Sequence, residues 1–307
     1  MGADRNDQKN ERVESYCSEA WDLLQSISCC FGGITMQEKM VVTRYKNPGK
    51  QLGLHLALVT DLHNCPHSNL LRLLKQQSPD AILCAGDILE RHDESFTEWT
   101  GAKMDAVINS IGRQNTMEKF MWLLDRLTER TGRATHEDVD TAIEFLKKLP
   151  SIASTFYSVG NHEWYFLLSD YNTFAEEGIT LLDNADCVVN VAGHELHIGG
   201  LSTRYDLEWL RAFSQKDGYK ILMCHHPEYY RKAIQYTDLD TFDLIVSGHY
   251  HGGQWRIGNR AVYVPRTGLF MKDAVGQFDR LIISAGTANT TRFSRRGNPC
   301  ELVMIEI

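Results

Sequence analysis

Residues 244–253, Leu-Ile-Val-Ser-Gly-His-Tyr-His-Gly-Gly, join an apolar run to two histidines that are spaced by one residue. In an extended chain, side chains at positions i and i+2 share a face, so His249 and His251 can reach into one site. Imidazole groups held in this way are suited to binding metal ions. A lone His-x-His pair is explained at least as well by two surface histidines in a turn. Four upstream stretches of the same kind favour the metal site.

Two of these stretches lie in the first third of the chain. Residues 54–60 predict a buried strand that runs into Asp61 and His63, and residues 80–85 predict another that runs into Asp87. A helix is predicted between them. Because a strand, a helix and a second strand with short connections imply a parallel sheet, these polar side chains are expected at the carboxyl ends of its strands, where ligands bind.

The other two stretches repeat the pattern further along. Residues 154–159 precede Gly160-Asn161-His162-Glu163, and residues 219–224 precede His225-His226-Pro227. Each set alone is weak evidence, whereas five sets in this order, each after an apolar strand, are strong evidence. Further strands are predicted at 41–45, 261–264, 280–284 and 301–307, a helix at about 68–77, and a meander of a second sheet at 179–182, 187–191 and 195–201.

Composition limits the partners that the chain is expected to bind. The 307 residues carry a formal net charge of -8, which repels polyanions, so a small substrate is favoured over long nucleic acid. The eight cysteines show no Cys-x-x-Cys spacing, and we expect reduced thiols in a cytoplasmic protein. No segment approaches the roughly 18 uninterrupted apolar residues that a membrane span requires, so no membrane span is expected. The sequence does not indicate an oligomeric state.

The periodicity predicts one main domain with two helical additions. Residues 1–40 are expected to form an N-terminal helical extension, because apolar residues recur at helical spacing between residues 11 and 27. The domain itself is expected to span residues 41–307. Apolar stripes at about 91–150 predict a helical insertion between Asp87 and Asn161. A substrate lid and a plain structural appendage explain that insertion equally well.

Taken together, the five strand-end sets resemble those of the calcineurin-like metallophosphoesterases. The Gly252-Gly253-Gln254 extension is similar to the bacterial branch of small phosphoesterases that carry Gly-His-x-His-Gly-Gly-Gln. The resemblance runs from about Leu54 to the C-terminus, without the helical insertion. It implies an α/β fold, a four-layer α/β/β/α sandwich of two mixed sheets, with a two-metal centre at one edge. It also implies two divalent metal ions as cofactors, Mn2+, Fe2+/Fe3+ or Zn2+.

The resemblance implies a role for each polar residue. Asp61, His63 and His251 would bind the first ion, Asn161, His225 and His249 the second, and Asp87 would bridge them. A bridging carboxylate suits this role because it holds two cations at about 3.5 to 4 Å, a spacing at which both stabilise the oxygens of an in-line displacement. His162 is expected to contact the phosphate together with Asn161 and to protonate the leaving oxygen.

Several of these residues have alternative interpretations. His226 could replace His225 as a ligand, although the family pattern favours His225. Asp61 or Asp87 could be a helix cap, since strand-to-helix turns often carry aspartate. Glu163 is interpreted as an acceptor that orients a ligand. Cys84 and Cys224 are interpreted as core residues.

The function expected from these features is hydrolysis of a phosphomonoester or phosphodiester by a hydroxide that bridges two metal ions. One alternative is a non-catalytic metal-binding scaffold of the same fold, which is disfavoured because all seven ligand positions are filled. A nuclease shares the motifs, but the acidic charge balance argues against it. The natural substrate is a small phosphorylated molecule that the sequence does not identify.

Overall fold

The computed structural model describes residues 40–91, 136–264, 268–291 and 294–307, with side chains omitted at 136–138. All of these residues belong to one compact unit, Glu38–Ile307. The predicted N-terminal extension at 1–40 lies outside the described residues, apart from residue 40. The same holds for most of the predicted insertion at 91–150, of which one helix is described.

Six strands form the first sheet: β1 (Val41–Lys46), β2 (His55–Val59), β3 (Ala81–Ala85), β4 (Ser154–Ser158), β5 (Ile179–Leu182) and β15 (Glu301–Glu306). Their order across the sheet is β1-β15-β2-β3-β4-β5. Strands β2 to β5 run parallel, and β15 pairs antiparallel with β2 and parallel with β1. The predicted strand-helix-strand unit is therefore confirmed as parallel.

Six more strands form the second sheet: β6 (Ala185–Val191), β7 (His194–Leu201), β8 (Tyr219–Cys224), β9 (Leu244–Ser247), β13 (Gly276–Phe278) and β14 (Leu281–Ile283). Their order is β13-β14-β9-β8-β7-β6. The meander predicted from residue 179 onward is wrong in part, because β5 pairs with β4 in the first sheet and β7 pairs parallel with β8. Only the β6–β7 hairpin of the predicted meander is antiparallel.

Helices cover the outer faces of both sheets. The described helices are α1 (Ser68–Gln77), α2 (His136–Lys148), α3 (Leu168–Glu177), α4 (Leu207–Ser214) and α5 (Pro227–Lys232), with a 3-10 turn at Ile234–Tyr236. Helix α1 begins and ends where the sequence predicts a helix. Among the described helices, none combines the length and the apolar character needed to cross a membrane.

Successive side chains of a strand point to opposite faces of its sheet, and this alternation builds the four layers. In β2, Leu56 and Leu58 point into a core shared with the second sheet, whereas Ala57 and Val59 point into a core shared with α1 and α2. A third core lies between the outer face of the second sheet and α4 and α5. The α/β/β/α sandwich predicted from the sequence is confirmed.

A small third sheet extends the loop that follows β9. It consists of β10 (Arg256–Ile257), β11 (Arg260–Val264) and β12 (Gly268–Lys272), paired antiparallel. The sequence predicts only β11 of these three strands. Along the chain, this sheet lies between His251, the second histidine of the His-x-His pair, and β13, an edge strand of the second sheet.

Candidate metal centre

One cluster of possible ligands joins the end of β2 to the loop after β9. Ligand atoms of Asp61, His63 and His251 all lie within 4.8 Å of one another. His251 Nε2 lies 3.5 Å from Asp61 Oδ1, and His63 Nε2 lies 4.0 Å from the same oxygen. The rings of His63 and His251 stack with centroids 5.1 Å apart. Because the two sheets face each other, strand ends from both contribute to one edge of the sandwich.

A second cluster joins the end of β3 to the ends of β8 and β9. Ligand atoms of Asp87, His225 and His249 lie within 4.8 Å of one another. His225 Nδ1 lies 2.9 Å from the carbonyl oxygen of Ala85, which fixes Nδ1 as the donor and turns Nε2 toward Asp87 Oδ2 at 3.0 Å. That carboxylate oxygen is also 3.7 Å from His63 Nε2. Asp87 therefore lies between the two clusters.

The loop after β4 places Asn161 and His162 beside Asp87. The backbone N–H of His162 donates to Asp87 Oδ1 at 2.9 Å, and His162 Nε2 lies 4.0 Å from Asp87 Oδ2. The side chain of His162 is 25% exposed, whereas Asp87 is buried. His162 can therefore be reached from solvent at the rim of the cluster.

Five of the clustered residues have a left-handed backbone conformation. The φ angles are 55° at Asp61, 49° at His63, 54° at Asp87, 71° at His249 and 50° at His251. Residues other than glycine adopt this region rarely and at an energetic cost. At these turns the backbone leaves the strand direction, so the polar side chains point into one space. A regular extension of the strands would not bring them together.

Glycines allow the carboxylates to approach the backbone of the opposite loop. A Cβ atom at Gly160 would lie 2.3 Å from Asp87 Oδ1, and one at Gly248 would lie 2.4 Å from Asp61 Oδ2. Real Cβ contacts are not this short. The glycines that precede the polar sets are therefore required by packing against Asp61 and Asp87.

Glu163 fixes the loop that carries Asp87. Its carboxylate accepts backbone N–H groups from Asp87 at 3.0 Å, Ile88 at 2.7 Å, Leu89 at 3.1 Å and Gly160 at 2.7 Å, and the hydroxyl of Tyr157 at 2.7 Å. Burial and the neighbouring Asp87 raise the pKa of Glu163 to about 7. The five donors act in the opposite direction by stabilising the carboxylate. The prediction that Glu163 orients a ligand residue agrees with these contacts, which act on Asp87 through its backbone.

Burial controls the charge states of the histidines in the first cluster. It lowers the pKa of His63 to about 4 and that of His251 to about 3. Both imidazoles are therefore neutral near pH 7, which is the form that binds a metal ion.

The Asp87 carboxyl group between the two clusters has a lowered pKa, and the neighbouring His225 imidazole has a raised one. Burial opposes ionisation of Asp87, but the charges of His225 and His162 outweigh it and lower the pKa of Asp87 well below its ordinary value. Burial likewise opposes protonation of His225, but Asp87 outweighs it and raises the pKa of His225 to about 10. This carboxylate is ionised and ready to accept cations.

The residues present fit divalent metal ions. His63 Nε2 and Asn161 Oδ1 are buried and have no hydrogen-bond partner among the described residues. Buried polar atoms without partners are costly, and a cation would satisfy both. The donors in the two clusters are nitrogen and oxygen atoms, which suit manganese, iron or zinc. Cys84 and Cys224 are fully buried in the hydrophobic cores, as predicted.

Two carboxylates near the clusters were missed by the sequence analysis. Glu90 Oε1 lies 3.4 Å from His162 Nδ1, and Glu90 Oε2 lies 3.9 Å from His63 Nδ1. Glu228 Oε1 lies 3.3 Å from His226 Nδ1 and 3.8 Å from His249 Nε2. Glu90 is the third residue after Asp87, and Glu228 is the second residue after the histidine pair, so neither directly follows an apolar strand.

The rival ligand His226 is held away from Asp87. Its Nε2 lies 3.0 Å from the Thr203 hydroxyl, and its ring stacks on Tyr229 with centroids 4.7 Å apart. His226 also forms a separate group with Glu228 and His249. The geometry next to Asp87 therefore favours His225.

Comparison with known proteins gives consistent matches. A family model described as calcineurin-like phosphoesterase matches residues 54–253. The uncharacterized metallophosphoesterase Cj0846 of Campylobacter jejuni is 24% identical over 221 residues, which cover 67% of this chain and 46% of that protein. An uncharacterized metallophosphoesterase of Helicobacter pylori strain J99 is 30% identical over 136 residues, which cover 40% of this chain and 35% of that protein. The chain spans less than half the length of these curated relatives.

A similar solved structure is the 5'-nucleotidase precursor from Thermus thermophilus. It is 13% identical with a TM-score of 0.37, over 69% of this chain and 44% of that one.

Proposed function

The chain belongs to the calcineurin-like phosphoesterase family, and we propose that it hydrolyses a small phosphomonoester or phosphodiester at a centre of two divalent metal ions. The observation that carries this proposal is the position of Asp87. Its carboxylate Oδ2 lies 3.0 Å from His225 Nε2 and 3.7 Å from His63 Nε2, between two clusters of possible ligands. A single ion would need only one such cluster.

In this proposal each cluster holds one ion. Asp61, His63 and His251 hold the first, and His225 and His249 hold the second together with the unpartnered Asn161 Oδ1. Asp87 is shared by both. Two such ions would act as Lewis acids on the phosphoryl oxygens and supply a nucleophilic water at neutral pH. Manganese, iron or zinc is expected, since the proposed donors are oxygen and nitrogen atoms.

His162 is proposed as the general acid. Its Nε2 faces Asp87 at 4.0 Å and is partly exposed, so it can meet the leaving oxygen of a bound ester. Its Nδ1 lies 3.4 Å from Glu90 Oε1, which keeps a proton on Nδ1 and holds the ring orientation. Asn64 fixes Glu90 by donating to its carbonyl oxygen and accepting from its N–H, both at 3.0 Å. Glu90 is thus a positioning residue that acts through His162.

The proposal also includes a reducing compartment, the cytoplasm. It is supported by Cys84, Cys187 and Cys224, which are thiols in the part of the chain that the structure describes.

The decisive experiment combines metal analysis with an activity assay. Purified protein loaded with Mn2+ is expected to hydrolyse aryl phosphate monoesters or diesters, to lose activity in a chelator and to regain it when Mn2+ is restored. Metal content is expected near two ions per chain by elemental analysis. Failure to hydrolyse any generic aryl phosphoester with both ions bound would instead support a metal-binding scaffold.

The substitution Asp87→Asn tests the shared ligand. We expect loss of turnover and reduced metal content, because the amide has no negative charge to share between two cations. The control is Asp183→Asn, which changes an exposed carboxylate in the turn after β5 and is expected to leave both measurements unchanged. Full activity in Asp87→Asn would exclude the two-ion arrangement.

A further inference from the structure

A cavity of about 240 Å³ opens at the edge of the sandwich, between the edge strands β1 and β13. It is separate from the space between the two ligand clusters. The polar residues on its wall are Thr43, Tyr45, Arg256, Asn298 and Glu301. Its size accommodates a molecule with the bulk of a single amino acid.

Glu301 provides a buried negative charge on the cavity wall. The residue is 5% exposed, and its carboxylate accepts the N–H of Ala285 at 2.8 Å and the hydroxyl of Thr43. Neither donor carries a charge. No cationic side chain in the described part of the chain forms an ion pair with Glu301. A buried carboxylate without a cation is costly, so the cavity wall favours a ligand that carries positive charge.

Asn298 joins the cavity wall to the loop that carries His251. The residue is 1% exposed, and its Nδ2 donates to the carbonyl oxygens of His251, at 2.7 Å, and Gly253. Its Oδ1 is buried and accepts no hydrogen bond from the described residues. That oxygen packs against Gly252, where a Cβ would be 2.3 Å away, so Asn298 supports the cavity wall and Glu301 is the wall's buried carboxylate acceptor.

A positively charged side chain, Arg256, lies on the same cavity wall. Arg256 forms no ion pair with the carboxylates that the structure describes, and it lines the cavity together with Tyr45. Burial and the charge of Glu301 raise the pKa of Tyr45 to about 12, whereas Arg256 acts to lower it. Tyr45, Glu301 and Arg256 all line this cavity. A guanidinium and a phenol hydroxyl are donors that suit a carboxylate.

We propose that this cavity binds a small zwitterion, an amino acid, whose ammonium group contacts Glu301 and whose carboxylate contacts Arg256 and the Tyr45 hydroxyl. The arrangement supplies one acceptor carboxylate and one donor guanidinium, so a molecule with both charges is matched better than a simple amine or a simple acid. Binding of an amino acid at this cavity does not require the proposed phosphoesterase reaction.

The cavity shares a wall with the metal centre. Asn298 donates to the backbone of His251, and Gly286, which follows the lining residue Ala285, lies against Asp61, where a Cβ would be 2.8 Å from the Asp61 Cβ. The backbone N–H of Glu301 also donates to Gly286 at 3.0 Å. An occupant of the cavity thus contacts the groups that hold Asp61 and His251. By linkage, any effect of the amino acid on metal affinity must equal the effect of the metal on amino-acid affinity.

The test measures binding directly. The full chain, with and without Mn2+, is screened against the proteinogenic L-amino acids by thermal shift, and any stabilising compound is measured by calorimetry. Its decarboxylated amine and its deaminated acid are measured beside it. At least one amino acid is expected to bind, with the amine and the acid each weaker by about tenfold or more, because each lacks one charge-assisted contact.

Two substitutions assign that binding to the cavity. Glu301→Gln removes the charge with little change in shape, and Arg256→Met removes the guanidinium; each is expected to weaken binding by about tenfold or more. Glu306→Gln is the control, since Glu306 lies on the same strand but is exposed and pairs with Lys46. The proposal is overturned if no amino acid binds, if the amine or the acid binds as tightly, or if binding survives both substitutions.

Discussion

Five of the proposed ligands, Asp61, His63, Asp87, His249 and His251, have φ angles between 49° and 71°. Each such residue costs on the order of 1 to 3 kcal/mol and persists only where its surroundings determine the conformation. Here the surroundings are visible, because the N–H of His249 donates to Asp61 and the N–H of His63 donates to the carbonyl of Asp87. The side chains are thus arranged before any ion binds.

The general-acid role of His162 predicts a selective kinetic defect. His162→Ala is expected to retain both metal ions and to reduce kcat by about 10²- to 10⁴-fold, the usual contribution of a general acid. Metal analysis and steady-state kinetics at a series of pH values measure the two effects separately. The basic limb of the pH–rate profile is expected to disappear in the variant. Unchanged turnover would remove His162 from the mechanism.

Glu228 predicts how the metal-free protein responds to acid. Burial acts to raise its pKa, but the hydrogen bond to His226 and the charge of His249 outweigh burial and lower the pKa to about 2, from an ordinary value of 4.5. Because the folded pKa lies below the unfolded one, the stability that this carboxylate contributes is present above pH 4.5 and is lost as the pH falls toward 2.

Urea unfolding of chelated protein at several acidic pH values measures this effect. Glu228→Gln is expected to be less stable than the wild type at about pH 6, with the difference shrinking as the pH falls. Glu208→Gln, which changes an exposed carboxylate on α4, serves as the control. A difference that stays constant down to the lowest pH would contradict the assignment.

At the level of single residues, the sequence predicted the side chains that meet around Asp87 because each follows an apolar strand directly. Their roles as ligands remain proposals. Glu90 and Glu228 were not predicted, since an acidic residue in a loop or in the first turn of a helix is most often a solvent-exposed group or a dipole partner. Only the folded contacts with His162, His226 and His249 distinguish them.

The elements that carry the site are strands that end in a glycine or a left-handed turn. Strands β2, β3 and β4 are parallel and adjacent, so their carboxyl ends lie side by side, and β8 and β9 bring the histidine loops to the same edge. Periodicity predicted these strands because they are short apolar runs bounded by polar residues. It placed β5 in the wrong sheet, because strand order depends on crossover connections that periodicity does not report.

The close approach of two strand ends predicts a strong effect at Gly160. Gly160→Ala would place a Cβ 2.3 Å from Asp87 Oδ1 and 2.6 Å from its backbone nitrogen, so the Asp87 loop must move. Turnover is expected to fall by at least about 10²-fold, since misplacement of about 1 Å can have that effect.

The matched control is Gly49→Ala. A Cβ at Gly49 would meet only Asn47 Nδ2, at 3.5 Å, so this variant is expected to keep wild-type metal content and kcat. Circular dichroism of both variants tests whether the fold is retained. A fully active Gly160→Ala protein would show that the position of Asp87 is not critical.

On the scale of the whole molecule, one core between the two sheets holds the two groups of strand ends together. Leu58 is fully buried in that core, so Leu58→Ala is expected to lower the free energy of unfolding by about 2 to 5 kcal/mol. Urea unfolding measures the loss. Val188→Ala on the edge strand β6, where Val188 is 53% exposed, is expected to change stability by less than about 0.5 kcal/mol.

The central position of β15 in the first sheet has a consequence for biosynthesis. β15 lies between β1 and β2 and pairs with both. The first sheet therefore becomes continuous only when residues 301–306 are present. A ribosome delivers those residues after the other strands of this sheet, and contacts of such large sequence separation form slowly. Nascent chains therefore expose two open strand edges until β15 has been synthesised, which makes them natural clients for chaperones that shield unpaired strands from aggregation.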